Sequence, residues 1–80
     1  MIGAATEKLT NRIAARRSLP PPEIRRAIRR SAGASLQDVA DAFEPPVSRH
    51  SVMAWERGTR NPGAGRVEQY LAILRALQAL

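Results

Sequence analysis

Apolar positions three and four residues apart, separated by proline, glycine and capping residues, divide this chain into five predicted helices. The first spans residues 6–17, with Thr6 as its N-cap and Leu9 and Ile13 one turn apart on a narrow apolar face. Pro20-Pro21-Pro22 follows as a stiff polyproline spacer. A second helix opens near Pro22, a residue suited to the first turn, and runs to Ala32 before Gly33 stops it. Its expected buried side is Ile24 and Ile28, surrounded by Arg25, Arg26, Arg29 and Arg30.

Ser35-Leu36-Gln37-Asp38 reads as a capping box with Asp in the place of Glu or Gln. It opens a third helix whose apolar stripe is Val39, Ala40 and Phe43 and which Glu44-Pro45-Pro46 ends. Ser48 caps the fourth helix, Arg49 to about Arg57, and Gly58 is placed as its stop. A loop of Thr59-Arg60-Asn61-Pro62-Gly63 leads to the last helix, roughly Arg66 to Leu80. That helix carries two stripes, Val67, Tyr70, Leu71 and Leu74, then Ile73, Leu77 and Leu80. One serves the core. The other is read either as a homodimer contact or as a seat for the N-terminal helix.

Composition narrows the class. Eighty residues allow one small domain, which buries only about 60% of its unfolded surface. With no cysteine, a disulfide scaffold and thiol chemistry are excluded, and a lone His50 cannot build a metal site. Three aromatics and six prolines fit a helical protein better than a sheet. No apolar run approaches the ~20 residues of a membrane span, and Lys8 and Arg12 interrupt any secretory pattern. The expected location is cytoplasmic. No cofactor and no small-molecule ligand are expected. Asp38 and Asp41 share a helix side without a companion histidine or a glycine-rich loop, so the chain reads as a binder and not an enzyme.

Charge gives the direction. Residues 1–34 hold eight basic and two acidic side chains, whereas residues 35–80 hold five of each. The whole excess of +6 therefore lies in the N-terminal part and points to a polyanionic partner. Nearly all the basic residues are arginine, which suits paired bonds to phosphate and guanine. A GC-rich genome accounts equally well for part of that choice.

At 100° per residue, Ser48, Val52, Trp55 and Glu56 face inward on the fourth helix; His50, Met53, Ala54 and Arg57 face outward, with Arg49 on the flank. Trp55, Phe43 and Tyr70 are read as core, not as stacking platforms. Arg57-Gly58-Thr59-Arg60-Asn61 is a candidate phosphate clasp, joined by the helix starts at Gln37 and Ser48. Arg12, Arg16 and Arg17 lie upstream of the spacer. Two readings of them stand: an arm reaching a minor groove, or a solvated face on a helix packed through Leu9 and Ile13.

From Pro22 onward the chain resembles the Cro and phage-repressor class of helix-turn-helix regulators, in a version similar to those of actinobacteria and their phages. The likeness rests on VSRHSVMAWERG at 47–58 followed by TRNP, on Arg29 and Gly33, on Ser35, Val39 and Ala40, and on Tyr70, Leu71 and Leu74. It implies an all-α, compact four- to five-helix bundle with a helix-turn-helix motif, divided as a basic helix or arm (1–19), a spacer (20–22) and a DNA-binding domain (23–80). It also implies sequence-specific duplex-DNA binding by a phage or bacterial repressor that occupies its operator. Base-edge positions then fall at Arg49, His50, Met53 and Ala54, and Arg29 pairs with Glu56 as a structural clamp. The turn Glu44-Pro45-Pro46-Val47 departs from the family, being about two residues longer and lacking glycine. Other functions compatible with the pattern are a protein-interaction module of the same fold, such as an antitoxin or phage accessory factor, an architectural factor for phage excision or packaging, and an anionic-membrane binder through residues 6–17.

Overall fold

The computed structural model describes residues 3–80; residues 1 and 2 of the expected 1–19 segment lie outside the described residues. Among these residues the chain forms five helices and no strand: α1 (Ala4–Ser18), α2 (Pro22–Ser31), α3 (Leu36–Asp41), α4 (Arg49–Arg57) and α5 (Ala64–Gln78). The expected all-α class and the five expected helices are present among the described residues.

The helix starts follow local chemistry. Ser35 and Asp38 exchange both bonds of the capping box, Asp38 N to Ser35 Oγ at 2.9 Å and Ser35 N to Asp38 Oδ2 at 2.8 Å. Those bonds to Ser35 hold the Asp38 carboxyl below its ordinary pKa. Ser48 Oγ accepts from Ser51 N at 3.1 Å, and Gly58 closes α4 at φ 73°, in the left-handed region. A Cβ on Gly58 would stand in ordinary contact with Pro22, 3.4 Å from Cγ, so the positive φ and not a lack of space is what calls for glycine here.

Two boundaries differ from expectation. α1 begins at Ala4, with Gly3 as N-cap; Thr6 lies inside the helix and its N–H bonds Gly3 O at 3.0 Å. α5 begins at Ala64, before Arg66, and ends at Gln78. In each case small residues just upstream (Ala4-Ala5 and Ala64-Gly65) join the helix without a side-chain cap.

Phe43, Trp55 and Tyr70 centre the core, their ring centroids 5.4–5.7 Å apart. Val39, Ala40, Val52 and Leu74 surround them. Tilted and edge-to-face contacts of this kind add to simple area burial. A smaller cluster joins Ala15 of α1 to Val67 and Leu71 of α5. Packing of α1 through Leu9 and Ile13 is therefore incorrect: these are 56% and 39% exposed, and Ala15 with Leu19 makes the contact.

The expected buried face of α2 is also displaced. Arg25 and Arg29 are buried, Ile28 is half-buried, and Ile24 is 45% exposed. Residues 25, 28 and 29 share one helical face. It turns inward because acceptors for both guanidinium groups wait there.

Tyr70 places a phenol in this interior. Its hydroxyl is buried and has no hydrogen-bond partner among the described residues. Burial, reinforced by the nearby Glu56 charge, pushes its pKa up to about 12. The folded value exceeds the unfolded one of about 10, so the neutral phenol favours folding. That contribution is complete below about pH 10 and is lost as pH rises through about 12. Absorbance titration at the tyrosinate band should show ionisation near 12 in the folded chain and about 10 in denaturant. Ionisation near 10 in both would contradict a buried phenol.

Candidate nucleic-acid interface

α4 has two unlike sides. Val52, Trp55 and Glu56 are buried, whereas Arg49, His50 and Arg57 are exposed. Ser48 is exposed as well, contrary to its inward placement, because its hydroxyl serves Ser51 N and contacts Ser51 Oγ at 3.1 Å. Met53 and Ala54 are half-buried, so the fully open part of the outward side is its first turn and its end.

The inner edge is fixed by a buried ion pair. Arg29 Nε donates to Glu56 Oε2 at 2.6 Å and Nη2 to Oε1 at 2.9 Å, the bidentate geometry that holds a carboxylate in one orientation. Arg29 Nη1 also donates to Ala34 O at 2.9 Å, tying the α2–α3 turn into the same clamp. Bonding to Glu56 raises the Arg29 pKa against the opposing effect of burial. The sequence reading of this pair agrees with the geometry.

Arg25 is a further residue of the site, one that hydropathy alone does not mark. Its Nε donates to Pro20 O at 2.6 Å and its Nη1 to Trp55 O at 3.2 Å, joining the polyproline spacer to the end of α4. Its guanidinium carbon lies 5.7 Å from the centre of the Tyr70 ring, an attraction that offsets part of its burial. The signal for it lay in the spacing: Arg25 is one turn before Arg29 on the same face.

The long turn between α3 and α4 is pinned from α5. Gln69 Oε1 accepts from Glu44 N at 3.0 Å, and Gln69 Nε2 donates to Glu44 O at 3.2 Å. Arg66 Nη1 donates to Pro45 O at 2.8 Å. No residue other than glycine takes positive φ among the described residues, so the turn needs no glycine of its own. These bonds hold the turn, and with it the start of α4, against α5.

Beside the first turn of α4, Ser35, Leu36 and Gln37 meet Arg49, His50 and Met53 around a hollow of about 410 Å³. The two helix starts thus lie side by side, adding partial positive charge where the exposed arginine projects. No family model, curated protein or solved structure gave a significant match to this chain. The residues themselves therefore carry the reading of the site.

The candidate phosphate contacts separate into free and engaged groups. Arg57, Arg60 and Asn61 are exposed. Thr59 N and Oγ1 both donate to Ala54 O, at 3.1 and 3.3 Å, so that hydroxyl closes the helix end. Gln37 Nε2 donates one hydrogen to Asp41 Oδ1 at 2.8 Å, which leaves its second N–H for an anion but sets the Asp41 carboxylate beside it. Arg16 shares a groove with Asn61, whereas Arg12 and Arg17 are exposed elsewhere on α1. Of the expected dimer stripe, Ile73 and Leu77 pack against the chain's own core, and only Leu80 is freely exposed, at 89%. The seat of α1 lies on Val67 and Leu71 instead.

Proposed function

We propose that this protein is a sequence-specific duplex-DNA-binding regulator that lays the outward side of α4 in the major groove and represses by occupying promoter DNA. The observation that carries this reading is the pairing of opposite properties in one nine-residue helix. Arg49 and His50 are exposed on its first turn, while Val52, Trp55 and the Arg29–Glu56 pair lock the side behind them. A rigid support matters because base-edge hydrogen bonds discriminate only when the donor is held in register. The helix is about 13 Å long, a length that fits across the groove. α3 then acts as the helix that crosses the backbone, and α4 as the reader.

The charges divide accordingly. Arg49 offers paired donors to guanine O6 and N7, His50 donates to a base or a phosphate, and the Met53 and Ala54 side chains pack on a thymine methyl. Arg57, Arg60 and Asn61 beyond the end of α4 face the sugar–phosphate strand. Selection of bound fragments from a random duplex pool tests the reading. Recovered fragments should share a short motif, and their retention should fall steeply with added salt. A pool that stays random after repeated selection would contradict it.

A further inference from the structure

A groove of about 420 Å³ opens beside the C-terminal end of α4, between α1, α2 and α5. Leu19, Pro62, Ala64 and Val67 are its apolar lining, and Arg16, Arg25 and Asn61 bring polar side chains to it. Four features favour an anion, and they arise from different parts of the chain: Arg25, Arg16, Asn61 and the start of α5.

Arg25 is only 8% exposed, yet it has no carboxylate partner; the ion pair among the described residues is Arg29–Glu56. Two of its nitrogens are satisfied by backbone carbonyls, which hold the group in place without neutralising it. Nη2 has no acceptor among the described residues. Burial lowers its pKa, so an arriving anion would relieve the cost of keeping it charged. Arg16 stands across the groove on α1 and adds a second guanidinium, exposed and free to move. Asn61 brings an amide with no hydrogen bond among the described residues. Finally, α5 starts at Ala64 behind Gly63, with no side-chain cap and no acidic residue in its first turn. Arg66 N is bonded to Gly63 O at 2.8 Å, which leaves the Ala64 and Gly65 N–H groups at the helix start without an intrahelical acceptor.

We propose that this groove is a binding site for a phosphate-type oxyanion, held between Arg16 and Arg25 with Asn61 and the first turn of α5 as further donors. The site itself does not depend on α4 reading DNA. Assigning its oxyanion to a DNA phosphodiester does rest on that reading, and the groove's place next to the Arg57–Asn61 loop favours that source over a free phosphorylated ligand.

Titration of the full chain with inorganic phosphate, against chloride at matched ionic strength, tests the site by NMR. Saturable shifts are expected at the Asn61 side-chain amide, the Ala64 N–H and the Nε–H groups of Arg16 and Arg25. Arg16→Gln, at an exposed position that leaves the fold intact, should weaken the affinity about tenfold, as expected for one charge-assisted bond. Arg30→Gln should leave it unchanged. Shifts that never saturate, or equal affinity in Arg16→Gln and the parent chain, would overturn the proposal. On a random-sequence duplex, Arg16→Gln should also reduce the salt slope by about one unit. An unchanged slope alongside Arg16-dependent phosphate binding assigns the groove to a free phosphorylated ligand. Loss of duplex binding by the parent chain, with phosphate binding intact, would remove the α4 reading and leave the groove.

Discussion

Arg29→Ala should destabilise the folded chain by about 3–5 kcal/mol, because it strands the Glu56 carboxylate in a buried position. Glu56 is 7% exposed, and both its oxygens are taken up by Arg29. The substitution also removes the donor to Ala34 O, which loosens the turn into α3. For a domain of this size each kcal/mol corresponds to roughly 4–8 °C in Tm. A loss of this size is a large fraction of the roughly 5–15 kcal/mol that a small domain holds in all. Thermal melting with far-UV circular dichroism measures it. Replacing both partners together, Arg29→Met with Glu56→Leu, should recover most of the loss, since the penalty lies in the unpaired charge. Similar melting of the single and double variants would show that the pair is not a buried unit.

That clamp was legible in the sequence only through the family likeness, and its geometry follows the same logic as the rest of the fold. Ser35, Asp38, Ser48, Gly33 and Gly58 are local signals whose effect is settled within four residues, so the helix limits they set were readable. The stripe of α2 was not. Hydropathy favours burying Ile24 over Arg25, and only the Pro20 and Trp55 carbonyls, five and thirty residues away, reverse that order. The same is true of the turn at Glu44-Pro45-Pro46. Its fixation depends on Gln69 and Arg66, more than twenty residues downstream, where a sequence shows only two ordinary polar helix positions.

The candidate site divides in the same way. The outward face of α4 follows from period alone, and Arg49 and His50 lie where that period puts them. The partial burial of Met53 comes from the neighbouring start of α3, a tertiary effect. Thr59 reads as a phosphate donor in isolation, but its hydroxyl is drawn to Ala54 O by the left-handed turn at Gly58. Arg16 and Asn61 share a groove through the packing of Ala15 of α1 on Val67 and Leu71 of α5, a tertiary contact that the sequence does not mark.

Arg49 and Arg60 should fail in different ways when removed. Both are exposed arginines, and neither has an ion-pair partner among the described residues. Arg49 projects from the first turn of α4, next to the start of α3, where a major-groove base edge would lie. Its loss should cost about 1–3 kcal/mol on the selected sequence, or roughly five- to 150-fold in affinity, and little on unrelated duplex. Arg60 sits in the loop after α4, where a phosphate would lie. Its loss should weaken all duplexes alike and reduce the salt slope by about one unit.

The most direct measurement is the ratio of affinities for the selected and a scrambled duplex, taken for the parent chain, Arg49→Ala and Arg60→Ala at two salt concentrations. Base reading by α4 predicts that Arg49→Ala collapses the ratio toward one while Arg60→Ala preserves it. Equal loss on both duplexes after Arg49→Ala would contradict it.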